Sequence, residues 1–374
     1  MPDQPTILFT GGGTGGHLYP GIAVAQALRE MSPRVRCIFL TTQKAIDKTI
    51  LDPTGFEYIP QPIVPIVKTA GGLIRFWRSW RETKDIVRTT MREYRPSAVL
   101  GLGGYAAGVG VKVGAQRKVP TAILNPDVIP GRANQYLMQY TSVVCCQFGQ
   151  TSGYVSGGFQ HKLRVTGCPI RKDILALPPR DDAVERLGLE KKLRTLVVTG
   201  ASLGAQTVNE AVLQMLRGLT LHGWQILHLT GKEHVDSVRA GYRELKQPAR
   251  ILDFTPAMND VWAVADVAIS RSGASSCAEL TACGVPSILF PYPYHKDMHQ
   301  RANAKVLADA GAAILIDDVK DRRQNAEALR PALESLLFDN NKRQAMADAA
   351  RRLGTPNAAE DVARLLIDLC NFGR

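Results

Sequence analysis

Two glycine-rich turns carry the residue types from which chemistry could be built. The first is Gly11-Gly12-Gly13-Thr14-Gly15-Gly16-His17, entered from the apolar run Thr6–Thr10 and followed by a segment in which Ala23, Ala27 and Leu28 support a helix. The second is Ser270-Arg271-Ser272-Gly273, set between the apolar run 267–269 and a helix-compatible segment, Ala274–Cys283. A helix N-terminus leaves backbone N–H groups unpaired and carries partial positive charge, so either turn could receive a phosphate. Ser275 and Ser276 add hydroxyl donors to the second turn. Glu279 lies about one turn further along the helix. A carboxylate there would repel a diphosphate unless it faces a partner that needs an acceptor, and a ribose diol is such a partner. His17 ends the first turn, where an imidazole that is neutral near pH 7 could take a proton from a substrate.

The first turn also satisfies G-x-G-x-x-G at positions 11, 13 and 16, the pattern of a dinucleotide-binding loop. A dinucleotide site would require an acid at the end of the next strand. That strand is 36–40, and Thr41-Thr42-Gln43 follows it with no acid. A nicotinamide-dependent oxidoreductase is therefore the weaker explanation, whereas a glycine loop can equally admit a bulky substrate close to the backbone.

The elements that must position these turns repeat one theme. Apolar strand runs at 98–100 and 121–124 lead into Gly103-Gly104-Tyr105 and Asn125-Pro126-Asp127, with Pro130-Gly131-Arg132-Ala133-Asn134 close behind. After the proline-rich stretch 177–182 the pattern restarts, with strand runs at 195–199, 225–229, 250–254, 267–269 and 287–290. Strand, turn, helix, strand is a βαβ unit, and such units build parallel sheets whose ligands sit at the carboxyl ends of the strands. The expectation is an α/β protein of two doubly wound, Rossmann-like domains facing a cleft. The expected divisions are 1–168, 169–355, and a C-terminal helix in 356–374 that packs back on the first domain through Val362, Leu365, Leu366 and Leu369.

Composition bounds the function. The chain has 374 residues, enough for two ordinary domains, and its 45% hydrophobic content describes a folded protein. Seven cysteines without a spacing pattern argue against a disulfide scaffold. No apolar run approaches the roughly 18–20 residues of a membrane span, and the start lacks the pattern of a signal peptide. The net charge is +12, and residues 1–170 hold 19 Lys/Arg against 9 Asp/Glu, so the first half carries almost all of it. That asymmetry suits an anionic partner. No nucleic-acid signature accompanies it, so nucleic acid ranks last. Residues 71–81 form a candidate helix on which Leu73, Phe76, Trp77 and Trp80 make one apolar stripe flanked by Arg75, Arg78 and Arg81. Tryptophan beside arginine suits an anionic membrane surface, and a buried Trp77 with solvated arginines is the alternative.

Four segments taken in order, 12–17, Gly103-Gly104-Tyr105, Arg271-Ser272-Gly273-Ala274 with Glu279, and His295-Lys296-Asp297 with Gln300 and Asn303, closely resemble the bacterial MurG glycosyltransferases. The resemblance covers nearly the whole chain. It implies a GT-B fold and transfer of N-acetylglucosamine from UDP-GlcNAc to a MurNAc-pentapeptide carried on undecaprenyl diphosphate, at the cytoplasmic face of the cell membrane, with no cofactor and no metal. By the same resemblance, Thr14, Gly15, Gly16, Arg171, Ser202, Thr255, Ala274, Ser275, Ser276, Glu279 and Gln300 bind the donor. Gly13, His17, Tyr105 and Asn134 meet the acceptor. The implied reaction is an inverting displacement by the acceptor C4 hydroxyl, with His17 as candidate base or as a group that only orients the acceptor. The chain departs from the family at Leu124-Asn125-Pro126-Asp127, where Asp127 stands in place of an asparagine and becomes a second candidate base. It departs again at Ala201-Ser202-Leu203, which lacks a glutamine, and at His299. Three other activities use the same features: a GT-B transferase with another lipid acceptor, a UDP-GlcNAc 2-epimerase, and a non-catalytic UDP-sugar-binding subunit.

Overall fold

In the computed structural model, residues 4–200, 204–245, 247–295 and 297–372 are described. They form two compact units, one of residues 1–171 with 356–374 and the other of residues 172–355. Among the described residues the first unit holds a seven-stranded sheet: β1 (Thr6–Thr10), β2 (Arg36–Thr42), β3 (Glu57–Gln61), β4 (Ala98–Gly101), β5 (Thr121–Asn125), β6 (Val143–Cys146) and β7 (Leu163–Val165), in the order β3-β2-β1-β4-β5-β6-β7. The second holds β8 (Arg194–Thr199), β9 (Trp224–Leu229), β10 (Ala249–Leu252), β11 (Ala265–Ser270), β12 (Ser287–Leu289) and β13 (Ala313–Leu315), ordered β10-β9-β8-β11-β12-β13. Every pairing is parallel. Both orders reverse direction beside their first strand, which puts the switch points between β1 and β4 and between β8 and β11.

Parallel strands covered on both faces read as continuous apolar runs, and alternate residues feed opposite cores. In β1, Ile7 and Phe9 join one core with Phe39, Leu100 and the helix Gly15–Met31. Leu8 turns the other way, to Ile38, Val99, Val87 and Met91. The C-terminal helix Ala358–Phe372 closes the first of these cores with Val362 and Leu366, and Leu365 and Leu369 pack at its margin. In the second unit, Leu196, Val198, Ile226, Ile269 and Ile288 share a core with Leu329 and Leu333 of the helix Arg322–Leu337. Among the described residues no helix is long and apolar enough to cross a membrane.

The stripe expected on 71–81 divides. The helix there runs Ala70–Glu93, and its buried face is Phe76, Ser79, Thr83, Val87, Thr90 and Met91. Phe76 is in the core and Trp80 packs against it, whereas Leu73, Ile74 and Trp77 point outward, Trp77 at 61% exposure.

Candidate active site

In the first unit, the chain leaving β1 bends through Gly11, Gly12 and Gly13, at φ values of 153°, 151° and 84°. Residues with a side chain rarely adopt these angles. Space also demands glycine at Gly12, where an added methyl group would clash with Asp47 Oδ2. Asp47 is the acid missing from the end of β2, displaced five residues onto the helix Ala45–Leu51. Its carboxylate is bonded within the protein. Gly13 N–H donates to Oδ1 and Oδ2 at 2.7 and 2.9 Å, and Thr42 donates to Oδ2 from its N–H at 2.9 Å and its hydroxyl at 2.7 Å. Lys44 Nζ donates to the Gly13 carbonyl at 3.3 Å. Nothing in the local spacing announces this carboxylate.

The held loop delivers Thr14, Gly15, Gly16 and His17 to the start of the helix Gly15–Met31. His17 Nδ1 lies 3.1 Å from Thr14 Oγ1. Its ring covers the loop after β4, where Gly103 and Gly104 have φ of 96° and 69°. A methyl group on Gly104 would approach His17 Cε1 to 2.8 Å, so this loop must be bare for the imidazole to lie there. Burial lowers the His17 pKa below the usual histidine value, partly offset by a bond to the Gly12 carbonyl and by the charges of Asp127 and Asp47. Asp127 is therefore brought within electrostatic range of His17, on a turn closed by Asn125 Nδ2 donating to the Asp127 carbonyl at 2.8 Å. The Tyr105 hydroxyl would lie 3.4 Å from a methyl group on Gly13. Asn134 donates to the Leu124 carbonyl at 2.9 Å and to Asn125 Oδ1 at 3.1 Å, while its own Oδ1 is buried with no partner among the described residues. A methyl on Gly103 would sit 3.7 Å from that oxygen and 3.6 Å from His17 Nε2. An amide oxygen and an imidazole nitrogen therefore flank Gly103. Gly16, Leu102, Leu124, Asn125 and Pro126 line a recess next to them. Arg171 belongs to this unit, with its guanidinium 5.2 Å from the Tyr19 ring.

In the second unit, Gly273 caps the helix Ala274–Cys283 with an ordinary φ of −61°, so its use is an open approach and not a special backbone angle. No acid lies in the first turn of that helix. The residue nearest to a methyl on Gly273 would be Gln300, its Nε2 at 3.9 Å. Gln300 is fixed by accepting from Tyr292 N–H at 2.9 Å, and its carbonyl accepts from Ser272 Oγ at 2.9 Å. Asn303 Nδ2 donates to the Ser272 carbonyl at 3.1 Å. Ser275, Ser276 and Glu279 are half-buried. The Trp262 indole N–H donates to Glu279 Oε2 at 2.8 Å, a partnership that sequence spacing does not reveal. Thr255 follows β10, its hydroxyl accepting from Ala257 N–H at 3.2 Å. Behind the turn, buried Arg271 pairs with Asp318 at 2.7 Å and donates to the Phe290 and Pro291 carbonyls. Ser202 lies outside the described residues.

Among the described residues, one group has metal-ligating types close together: His295, Asp297 and His299, whose ligand atoms lie within 4.8 Å of one another. They also bond among themselves, His299 to Asp297 at 2.6 Å and to His295 at 3.1 Å.

Residues 7–145 match the glycosyltransferase family 28 N-terminal domain and residues 195–362 the family 28 C-terminal domain. A relative from Thermodesulfovibrio yellowstonii is 36% identical over 96% of this chain and 97% of its own. It is named UDP-N-acetylglucosamine--N-acetylmuramyl-(pentapeptide) pyrophosphoryl-undecaprenol N-acetylglucosamine transferase. The chain belongs to the MurG glycosyltransferase family. The MurG crystal structure from Acinetobacter baumannii is similar with a TM-score of 0.75 and 26% identity, covering 97% of this chain and 99% of that one. A UDP-GlcNAc 2-epimerase from Neisseria meningitidis shares the fold alone, at a TM-score of 0.68 and 13% identity over 97% of this chain and 100% of its own. The fold is GT-B, and a MurG-family chain with both family 28 domains is a glycosyltransferase.

Proposed function

We propose that this protein moves N-acetylglucosamine from UDP-GlcNAc to the C4 hydroxyl of a MurNAc-pentapeptide carried on undecaprenyl diphosphate, the step from lipid I to lipid II. The observation that carries the donor half is the acid-free start of the helix Ala274–Cys283, with the Gln300 amide beside it and Glu279 held by Trp262. The N–H groups at 274–276 meet the diphosphate, Gln300 meets the sugar, and Glu279 accepts from the ribose hydroxyls. Thr255 lies toward the uracil. As the glycosidic bond to UDP breaks, negative charge grows on the departing diphosphate, and the helix terminus stabilises it without reorganising.

The acceptor half belongs to Gly13, His17, Tyr105 and Asn134, and Thr14, Gly15 and Gly16 meet the donor sugar and the acceptor diphosphate. The attacking hydroxyl must lose its proton, and a base must be unprotonated to take it. Burial keeps His17 neutral at pH 7, and with Nδ1 at Thr14, Nε2 is the atom beside Gly103. The Asp127 charge favours the imidazolium formed when the proton arrives.

The protein works as a peripheral enzyme at the cytoplasmic membrane face. Supporting this, Thr69 caps the helix Ala70–Glu93 through Gly72 N–H at 3.1 Å, and a methyl on Gly72 would meet the Val67 carbonyl at 2.6 Å. The preceding loop is thereby folded onto the helix start, and Ile66, Val67, Leu73, Ile74 and Trp77 are exposed among Arg75, Arg78 and Arg81. Purified protein, labelled UDP-GlcNAc and a short-chain lipid I analogue should yield the disaccharide product by mass. Transfer only to a diacylglycerol acceptor, or donor conversion with no acceptor present, would overturn the assignment.

A further inference from the structure

Asp47 is 1% exposed, and its recorded partners are all donors: two backbone N–H groups and one hydroxyl. It joins three segments, the loop after β1, the end of β2 and its own helix. Through Gly13 it fixes the backbone one residue before Thr14. A buried carboxylate with several donors holds its neighbours in one arrangement, because moving any of them would leave a charge unsatisfied. Asp47 also sits behind the loop on the side of Gly12, where the carbonyl that bonds His17 originates. We propose that Asp47 is a positioning residue for the transfer, which clamps the glycine loop so that His17 and Thr14 face the acceptor and which places a fixed negative charge behind the imidazole. This rests on the acceptor assignment above for its kinetic consequences, although the clamp itself does not.

The charged groups facing His17 are Asp127 from the turn after β5, Asp47 from its short helix, and Lys44 from the turn before that helix. The two acids favour the imidazolium and Lys44 opposes it. Removing the Asp47 charge should therefore lower the pH at which His17 titrates.

Asp47→Asn keeps the shape but not the charge. Whichever way the amide turns, its NH₂ opposes at least one N–H that Asp47 now accepts. Thr42→Val is the companion variant: it removes the hydroxyl that donates to Asp47 and accepts from the Lys44 N–H at 3.3 Å, and it keeps the carboxylate and its bonds to the Gly13 and Thr42 N–H groups. The measurements are acceptor kcat/KM with a lipid I analogue, UDP-GlcNAc affinity by calorimetry, and the His17 imidazole titration by NMR on the substrate-free protein. For Asp47→Asn the expectation is an acceptor kcat/KM at least about tenfold lower, equivalent to about 1.4 kcal/mol. Donor affinity should fall less than acceptor kcat/KM, and the His17 midpoint should move to lower pH. Thr42→Val should leave that midpoint in place. An unchanged midpoint with unchanged acceptor kinetics would overturn the proposal, as would a loss of donor affinity parallel to the loss of rate. A shifted midpoint in a protein that transfers nothing to the acceptor would uphold the clamp and remove the transferase assignment instead.

Discussion

Replacing Trp262 by phenylalanine deletes a single hydrogen bond donor while retaining an aromatic ring in the same place. The indole N–H lies 2.8 Å from Glu279 Oε2, and Trp262 is itself buried at 3% exposure, so the donor comes from a fixed wall. A hydrogen bond to a charged group contributes about 1.5–3 kcal/mol. Glu279 is half-buried, so water recovers part of that when the indole is lost. What remains is the cost of ordering the Glu279 carboxylate on the ribose without the indole, about 1–1.4 kcal/mol, or a five- to tenfold weaker Kd for UDP-GlcNAc. The smaller ring also leaves a gap that lowers stability, so binding should be measured well below the melting transition. Isothermal calorimetry on Trp262→Phe, Glu279→Ala and the double variant completes the test. If Trp262 acts through Glu279, the double variant binds no more weakly than Glu279→Ala alone, a plain failure of additivity. Additive losses would show Trp262 acting elsewhere. Unchanged affinity in Glu279→Ala would remove the ribose assignment altogether.

His17→Ala should lower kcat by about 10²–10⁴-fold with donor affinity intact, while Asp127→Asn should retain more activity and move the acid limb of the rate profile to lower pH, since the Asp127 charge raises the His17 pKa. Full activity in the first variant with none in the second would transfer the base to Asp127. Ile74→Ala with Trp77→Ala should weaken sedimentation with anionic vesicles by at least about tenfold, since each such side chain contributes about 1.5–3 kcal/mol when buried; equal binding would locate membrane contact elsewhere. Buried His228, bonded to Tyr242 OH at 2.9 Å and Asn209 Oδ1 at 3.0 Å, has its pKa lowered to about 3. An unfolded chain would protonate it near 6.5, so its contribution is whole above that pH and declines as pH falls toward 3. Urea unfolding at pH 5 rather than 7 should show about 2 kcal/mol less stability, a difference that His228→Gln removes; an equal difference in that variant would refute the linkage.

The helix Ala70–Glu93 shows where pattern reading stops. A 3.6-residue period groups Leu73, Phe76, Trp77 and Trp80, because hydrophobicity weights aromatic rings most heavily. The buried face is set instead by the spacing 76, 79, 83, 87 and 90, which includes serine and threonine. For two of them the cost of burial is met locally: Ser79 donates to the Phe76 carbonyl at 2.9 Å and Thr90 to the Ile86 carbonyl at 3.0 Å, whereas the buried Thr83 hydroxyl has no partner among the described residues. Small hydroxyl residues that bond to their own helix can face a core, and the large apolar ones are then left outside. The glycine loops were legible for the opposite reason. Their conformation is a property of the residue itself, as at Gly13 and Gly104. Asp47, Trp262 and the Arg271–Asp318 pair were not legible, because each matters only through a partner brought close by the sheet order, and no local period encodes that.

Both units place a glycine turn and a helix N-terminus at the switch point of a parallel sheet, yet the two turns are backed differently. Behind the first lies the Asp47 carboxylate, which already consumes the Gly13 N–H and adds a negative charge, while Lys44 Nζ donates to the Gly13 carbonyl. Behind the second lies Arg271, whose charge is matched by Asp318 inside the core. No acid stands in the helix turn that follows. Neither helix carries an acid in its first turn, so the difference lies behind the turns: the buried acid disfavours an anion at the first, and at the second the helix dipole acts over a wall whose charges balance, with Glu279 turned to the Trp262 indole. That contrast supports housing the diphosphate leaving group at Gly273. It also bears on the loop at 11–16 that fits a dinucleotide fingerprint: the first acid after β2, Asp47, is spent on the loop itself.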